Sequence, residues 1–210
     1  MKLILLGAAG SGKGTQGSMI SEKYQIPNIS TGDLFRKNIK EQTPIGKKAE
    51  GYINSGKLVP DEVVLKMLSE RLEEADCKNG FILDGFPRNR SQAEALDKLT
   101  SIDRVISISL SEEVLIGRIT GRRLCEKCGN NSHLDWLNGK TICPKCGGKM
   151  VQRKDDADEE AVRSRLRTYE DSVKPLIGFY KQKGILSEVS GEKGKEDLFK
   201  QISRVLENEH

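Results

Sequence analysis

No stretch of this chain reaches the ~20 consecutive apolar residues that a bilayer-spanning helix requires, so no membrane role is expected. The opening MKLILLG carries an apolar run shorter than the roughly 7–15 residues of a secretory signal. Residues 2–6 therefore read as a buried strand, and the cytoplasm is the expected compartment. Lysine and arginine never form the dense run of a nucleic-acid-binding tail, and a net charge of +4 suits anionic small molecules equally well. There is no internal repeat, no low-complexity tract and no N-K-x-D motif of the kind a GTPase uses to read guanine. Histidine occurs only twice, and neither residue stands out as a general base.

What is present is a composition that can fold. Hydrophobic residues make up 36% and charged residues 31% of 210 positions, which suits one α/β domain with insertions. Apolar runs at residues 3–6, 81–83, 105–110 and 185–189, with a weaker one at 26–30, alternate with helical patterns and predict βαβ units around a parallel sheet. Helical faces are read from Val64, Met67, Leu68 and Leu72, and from Val114, Leu115 and Ile119. A long stripe runs through Val162, Leu166, Tyr169, Val173, Leu176 and Tyr180, in which Pro175 should produce a kink. Leu198 and Ile202, with Val205 or Leu206, mark a closing helix. Residues 31–60 and 122–157 break the alternation and read as insertions on one core.

The first strand runs straight into Gly7-Ala8-Ala9-Gly10-Ser11-Gly12-Lys13-Gly14-Thr15. This is a phosphate-cradling loop: glycines let backbone N–H groups turn onto phosphate oxygens, the next helix adds its N-terminal dipole, and Lys13 adds a point charge. Gly14 occupies the position where many such loops carry Ser or Thr, and Thr15 follows it, a variant that suits nucleotide kinases better than GTPases.

Five cysteines include two C-x-x-C-G knuckles, Cys125/Cys128 and Cys143/Cys146, separated by residues 129 to 142. Four thiolates make a closed tetrahedral site with no open position for water, so the metal is expected to be structural, zinc before iron. His133 is not needed as a ligand and reads as a surface residue; Cys77 stands apart as an inert thiol. A nucleic-acid-binding zinc ribbon would carry the same knuckles.

Phe81-Ile82-Leu83-Asp84-Gly85-Phe86-Pro87-Arg88 is an apolar strand ending in a carboxylate, where Asp84 can hold Mg²⁺ through water near the phosphate loop. Arg118 and Arg122 share one helical face. A run of charges is usually a solvated face, and Arg163, Arg167 and Arg123 read as that.

Together these motifs resemble one family over nearly the whole chain: adenylate kinases, in the long form with a zinc-bearing lid. GAAGSGKGTQ, ISTGDLFR, GKLVPDE, FILDGFPRNRSQA, GRR, QRKDD and VRSRLRTYE occur in the family's order. The resemblance implies the nucleoside monophosphate kinase fold, a five-stranded parallel sheet flanked by helices. It implies a core of residues 1–29, 60–121 and 160–210, an AMP-binding insert at 30–59 and a zinc lid at 122–159. It implies that Gly10, Ser11, Gly12, Lys13, Gly14 and Thr15, with Arg118, Arg122, Asn131, Ser132 and Lys193, bind ATP. Thr31, Arg36, Lys57, Leu58, Val59, Gly85, Phe86, Pro87, Arg88 and Gln92, with Arg153 and Arg165, would hold AMP. Lys13, Asp84, Arg88, Arg122, Arg153 and Arg165 would be the catalytic set, and Cys125, Cys128, Cys143 and Cys146 the metal ligands.

Ala9 stands where the family often has proline, and Asn89 where threonine is common. The implied reaction is ATP + AMP = 2 ADP with Mg²⁺, in a monomer that keeps adenine nucleotides in balance. Because the phosphate of AMP is already an anion, no general base is required, which fits a site rich in arginine. The alternatives are a kinase for UMP, CMP or GMP, or a zinc-ribbon nucleic-acid-binding NTPase.

Overall fold

The computed structural model describes residues 1–207. In chain order, β1 (Lys2–Leu6) leads into α1 (Lys13–Tyr24) and β2 (Asn28–Ser30). Then come α2 (Thr31–Lys40), α3 (Pro44–Asn54) and α4 (Asp61–Leu72), followed by β3 (Phe81–Asp84), α5 (Arg90–Leu99), β4 (Arg104–Ser109) and α6 (Glu112–Thr120). The second irregular region holds β5 (Arg122–Cys125), β6 (Asn131–His133), α7 (Leu134–Leu137), β7 (Met150–Val151) and α8 (Lys154–Ala157). The chain closes with α9 (Glu159–Thr168), α10 (Pro175–Gln182), β8 (Leu186–Ser190) and α11 (Lys195–Glu207).

The apolar runs pair as one parallel five-stranded sheet in the order β2-β3-β1-β4-β8. Such a sheet needs cover on both faces, which is why its central strands β1 (KLILL) and β3 (FILD) are almost continuous apolar runs, while the outer strands β2 and β8 carry more polar residues. One face packs on Val64, Leu96, Leu176 and Tyr180; the other on Ile20, Leu198 and Ile202. The chain leaves β1 towards β3 on one side and β4 on the other, so a crevice forms beyond the carboxyl ends of β1 and β3. No helix of the described residues is long and apolar enough to cross a membrane.

Three local readings shift. The second strand starts at Asn28 rather than Ile26, because Pro27 has no N–H to give a ladder and Gln25 caps α1 at φ 53°. The stripe from Val162 to Tyr180 is not one kinked helix: α9 and α10 flank a π-helical turn over Tyr169–Val173, with Lys174 N–H donating to Tyr169 O at 2.8 Å. The ring of Pro175 would crowd the carbonyl four residues back, and the wider turn relieves this. Finally, the cysteine region has its own three-stranded antiparallel sheet, β6-β5-β7, with two single-turn helices too short to show a helical period.

Candidate functional site

The loop between β1 and α1 turns the chain sharply beneath the crevice. Gly10 has φ 81°, and a Cβ there would lie 2.9 Å from Leu115 O, so the loop admits no side chain at that position. No side chain caps α1, and its first residues, Lys13 to Gln16, line the cavity, the arrangement an anion site requires. Lys13 Nζ donates to Gly7 O at 2.6 Å and Ala8 O at 2.8 Å. Burial pushes this ammonium down to about 8, against the pull of Asp84. Burial also raises the Asp84 carboxyl, against the pull of Lys13. Both charges are thus held where water is scarce, a state that a phosphate and its counter-ion would relieve.

The crevice is a cavity of about 480 Å³, within the roughly 300–1,000 Å³ typical of small-molecule sites. It gathers Gly10, Gly12, Lys13, Gly14, Thr15, Arg36, Asp84, Gly85, Pro87, Arg88, Arg118, Arg122, Asn131, Ser132, Arg153 and Arg165 along its walls. Ser11 is buried beneath the loop. Residues from six separate stretches of sequence, around positions 10–15, 36, 84–88, 118–122, 131–132 and 153–165, therefore meet in one place. Burial, reinforced by the neighbouring Arg165, pushes the Arg88 guanidinium down to about 10, the mark of cations crowded out of water.

A smaller void of about 20 Å³ adjoins it, lined by Thr31, Lys57, Leu58, Val59, Gly85, Arg88 and Gln92. Thr31 Oγ1 donates to Gly85 O at 2.9 Å, and Arg88 Nε to the same oxygen at 2.7 Å. Phe86 differs from the other expected AMP residues: its side chain is fully buried in the core beside β3, so only its backbone is available to a ligand. Lys193 is exposed in the loop before α11; its neighbours Gly194 and Lys195 line the cavity.

Sequence reasoning passed over two carboxylates. Asp155 and Asp156, both buried, sit among the arginines. Arg122 forks onto Asp156 at 2.7 and 2.5 Å. Arg165 reaches Asp156 at 2.7 Å and Asp155 at 3.1 Å, while Arg153 pairs with Asp155. Burial alone would raise Asp155, yet Arg153 and Arg165 hold it at about 2. The signal was available: two adjacent acids directly after Arg153 in an arginine-rich site need a partner. Asp33, Asp135 and Trp136 also line the cavity and had not been singled out. Arg163, as expected, is a surface residue paired with Glu159.

The two knuckles face each other. Gly129 N–H donates to Cys125 O at 3.0 Å and Gly147 N–H to Cys143 O at 2.9 Å, each with φ near 70°. Cys125 and Cys146 sulfurs lie 3.5 Å apart, Cys128 and Cys143 sulfurs 3.7 Å, and all four lie within 4.8 Å of one another. A tetrahedral ion with bonds of about 2.3 Å would set its sulfurs about 3.8 Å apart, so the four fit one metal. The thiols share their protons unevenly: backbone N–H groups of Cys128 and Lys127 lower the Cys125 thiol to about 6, while hydrogen bonding with Cys128 pushes Cys146 up to about 12. Cys77 is buried far along the chain from this cluster, between Arg71 and Asp76.

A family model described as adenylate kinase matches residues 5–185. Among curated relatives, an adenylate kinase of Clostridium tetani is 50% identical over 213 residues, covering 98% of each chain. One from Clostridium beijerinckii is 48% identical over 215 residues, covering 99% of each. One from Archaeoglobus fulgidus is 50% identical over 214 residues, covering 99% of this chain and 98% of the relative.

Proposed function

The chain belongs to the adenylate kinase family, and on that premise we propose that it catalyses ATP + AMP = 2 ADP in the cytoplasm as a monomer. The observation that carries the reading is the convergence of Lys13, Arg88, Arg122, Arg153 and Arg165 on one cavity, between the phosphate loop and the void lined by Thr31 and Gln92. In this reading the loop and α1 hold the β- and γ-phosphates of ATP, and Arg118, Asn131 and Ser132 close over its nucleoside. AMP lies across Gly85 to Arg88, with its base against Lys57 to Val59 and Gln92. The void there, about 20 Å³, holds about one water, so residues 30–59 must move for AMP to enter.

An oxygen of the AMP phosphate forms the new bond to the γ-phosphorus as the bond to the bridging oxygen of ADP breaks, with no proton to remove. Catalysis is then positioning and charge cancellation. Arginine forks match the faces of a transferring phosphoryl group better than lysine would. Asp155 and Asp156 occupy those forks until nucleotide arrives, which keeps three half-buried guanidinium groups together without a bound anion. Mg²⁺ would neutralise the β- and γ-oxygens, and Asp84 is the residue that would hold it through water. Residues 122–159 act as a lid that excludes water, the competing acceptor. Zinc at the four cysteines would keep that lid one rigid piece.

The test offers Mg-ATP with AMP, UMP, CMP or GMP and follows diphosphate formation by chromatography. Rapid ADP formation from AMP, with the others slower by at least tenfold, is expected. Preference for another monophosphate would overturn the base assignment, and salt-sensitive nucleic-acid binding without phosphoryl transfer would point to the ribbon alternative.

A further inference from the structure

Gln92 is 1% exposed, on the first turn of α5, with its amide in the wall of the small void. A glutamine amide is nearly symmetric in shape and antisymmetric in hydrogen bonding, so a half-turn exchanges donor and acceptor without changing volume. Adenine and hypoxanthine differ by the same exchange. Adenine accepts at N1 and donates from its 6-amino group; hypoxanthine donates from N1 and accepts at O6. An amide free to turn pairs with either base. One that cannot turn pairs with only one, because phosphate and ribose fix which way round the base lies.

Two partners prevent the turn. Arg88 N–H can only donate, and it meets Gln92 Oε1 at 2.8 Å. An Asp61 carboxylate can only accept, and it meets Gln92 Nε2 at 2.7 Å. Turning the amide would set N–H against N–H at one end and oxygen against carboxylate at the other. Asp61 is itself anchored: Asn89 Nδ2 donates to it at 3.0 Å, and Ser91 Oγ donates to its second oxygen. Although burial works the other way, the hydrogen bonds from Ser91, Gln92 and Asn89 hold the Asp61 carboxyl below its usual range, so it is an acceptor at neutral pH.

We infer that Asp61 is a positioning residue for base selection, holding the Gln92 amide in the one orientation that pairs with a 6-amino purine and rejects a 6-oxo purine. The inference rests on the reading of the Gln92 wall as the site of the AMP base. Asp61 also opens α4, where an acid favours the helix, so loss of the side chain has a structural effect to be separated from the selective one.

The experiment measures kcat/KM for AMP and for inosine monophosphate in the parent, Asp61→Ala, Asp61→Asn and Glu62→Ala. Glu62 is exposed on the same helical turn and supplies the same charge without touching Gln92. The AMP-to-IMP ratio is unaffected by loss of folded protein, because both substrates see the same active fraction. In Asp61→Ala the ratio should fall about tenfold or more, through a higher KM for AMP, since a buried polar pair is no longer enforced. Asp61→Asn, whose oxygen can still accept from Nε2, should stay within about threefold of the parent, and Glu62→Ala should match it. If the parent prefers AMP and Asp61→Ala keeps the parent ratio, the lock is wrong and the AMP site stands. If the parent shows no preference for AMP over IMP, the site reading and the lock fall together.

Discussion

Around the five-stranded sheet, the apolar interior draws on every strand: Ile4, Leu83 and Val105 on one face, Leu5, Ile82 and Ile106 on the other, all between 0% and 1% exposed. In the lid the buried apolar cluster is Cys125, Leu137, Cys143 and Met150, and half of it is also the knuckle chemistry. The core can hold itself by burial alone. The lid cannot, since so small an interior does not repay the entropy of ordering a loop-rich segment of residues 122–159. The difference suits the work. In the proposed reading a lid that moves on substrate has to be rigid in itself yet loosely tied to the core, and a metal held by the four cysteines would give rigidity without a large shared interior.

The largest effect should follow from breaking that cross-link. Structural zinc in a small domain supplies on the order of 10 kcal/mol of folding free energy. Stripping metal with a strong chelator, with its loss verified by elemental analysis, should open residues 122–159 to limited proteolysis and abolish turnover. The sheet core should stay protease-resistant. Unchanged lid cleavage and activity in metal-free protein would show that the lid, too, stands on burial.

The converse test is made in the core. Leu83→Ala empties a fully buried position in β3 and should lower stability by about 2–5 kcal/mol, with metal present or absent. Trp136→Ala removes a lid aromatic that is 70% exposed and should shift global unfolding by less than about 0.5 kcal/mol. Urea melts of both variants measure this. Equal losses would erase the distinction between the two regions.

The same contrast explains what was legible in the sequence. The core was readable because parallel strands buried on both faces appear as apolar runs, and the phosphate loop because its glycines have fixed spacing. The knuckles were readable for the same reason, since Cys125 to Cys128 and Cys143 to Cys146 are local. What escaped is what depends on distant partners. The pairing of Asp155 and Asp156 with Arg122 and Arg165 brings residues as much as 34 positions apart together. The hold of Asp61 on Gln92 crosses 31 positions. The π turn before Pro175 was half visible: the proline marked the place, but not the way the backbone would widen there. Period and spacing report an element's own face; they carry no register between a lid and a helix that follows it.

A last test falls on Asp155, at the end of the cysteine region, where its carboxylate meets the arginines of the site. Burial of the core is insensitive to acid, but the clamp of Asp155 on Arg153 and Arg165 is not. The Asp155 carboxyl is held at about 2, below the ~3.9 of an unfolded chain. A depressed carboxyl stabilises the folded form fully above the unfolded value and loses that contribution as pH falls towards the folded one. Linkage puts the contribution on the order of 2 kcal/mol at neutral pH, with about half remaining at pH 3. Asp155→Asn lacks the titrating group, so the stability gap between parent and variant should be widest near pH 6 and shrink steadily from about pH 4 downwards. Urea melts at matched pH read the gap directly, and the comparison cancels acid effects common to both proteins, including loss of metal from the cysteines. A gap that stayed constant down to pH 3 would mean that Asp155 acts by shape or neutral hydrogen bonding rather than by charge, and that this junction is as indifferent to acid as the core.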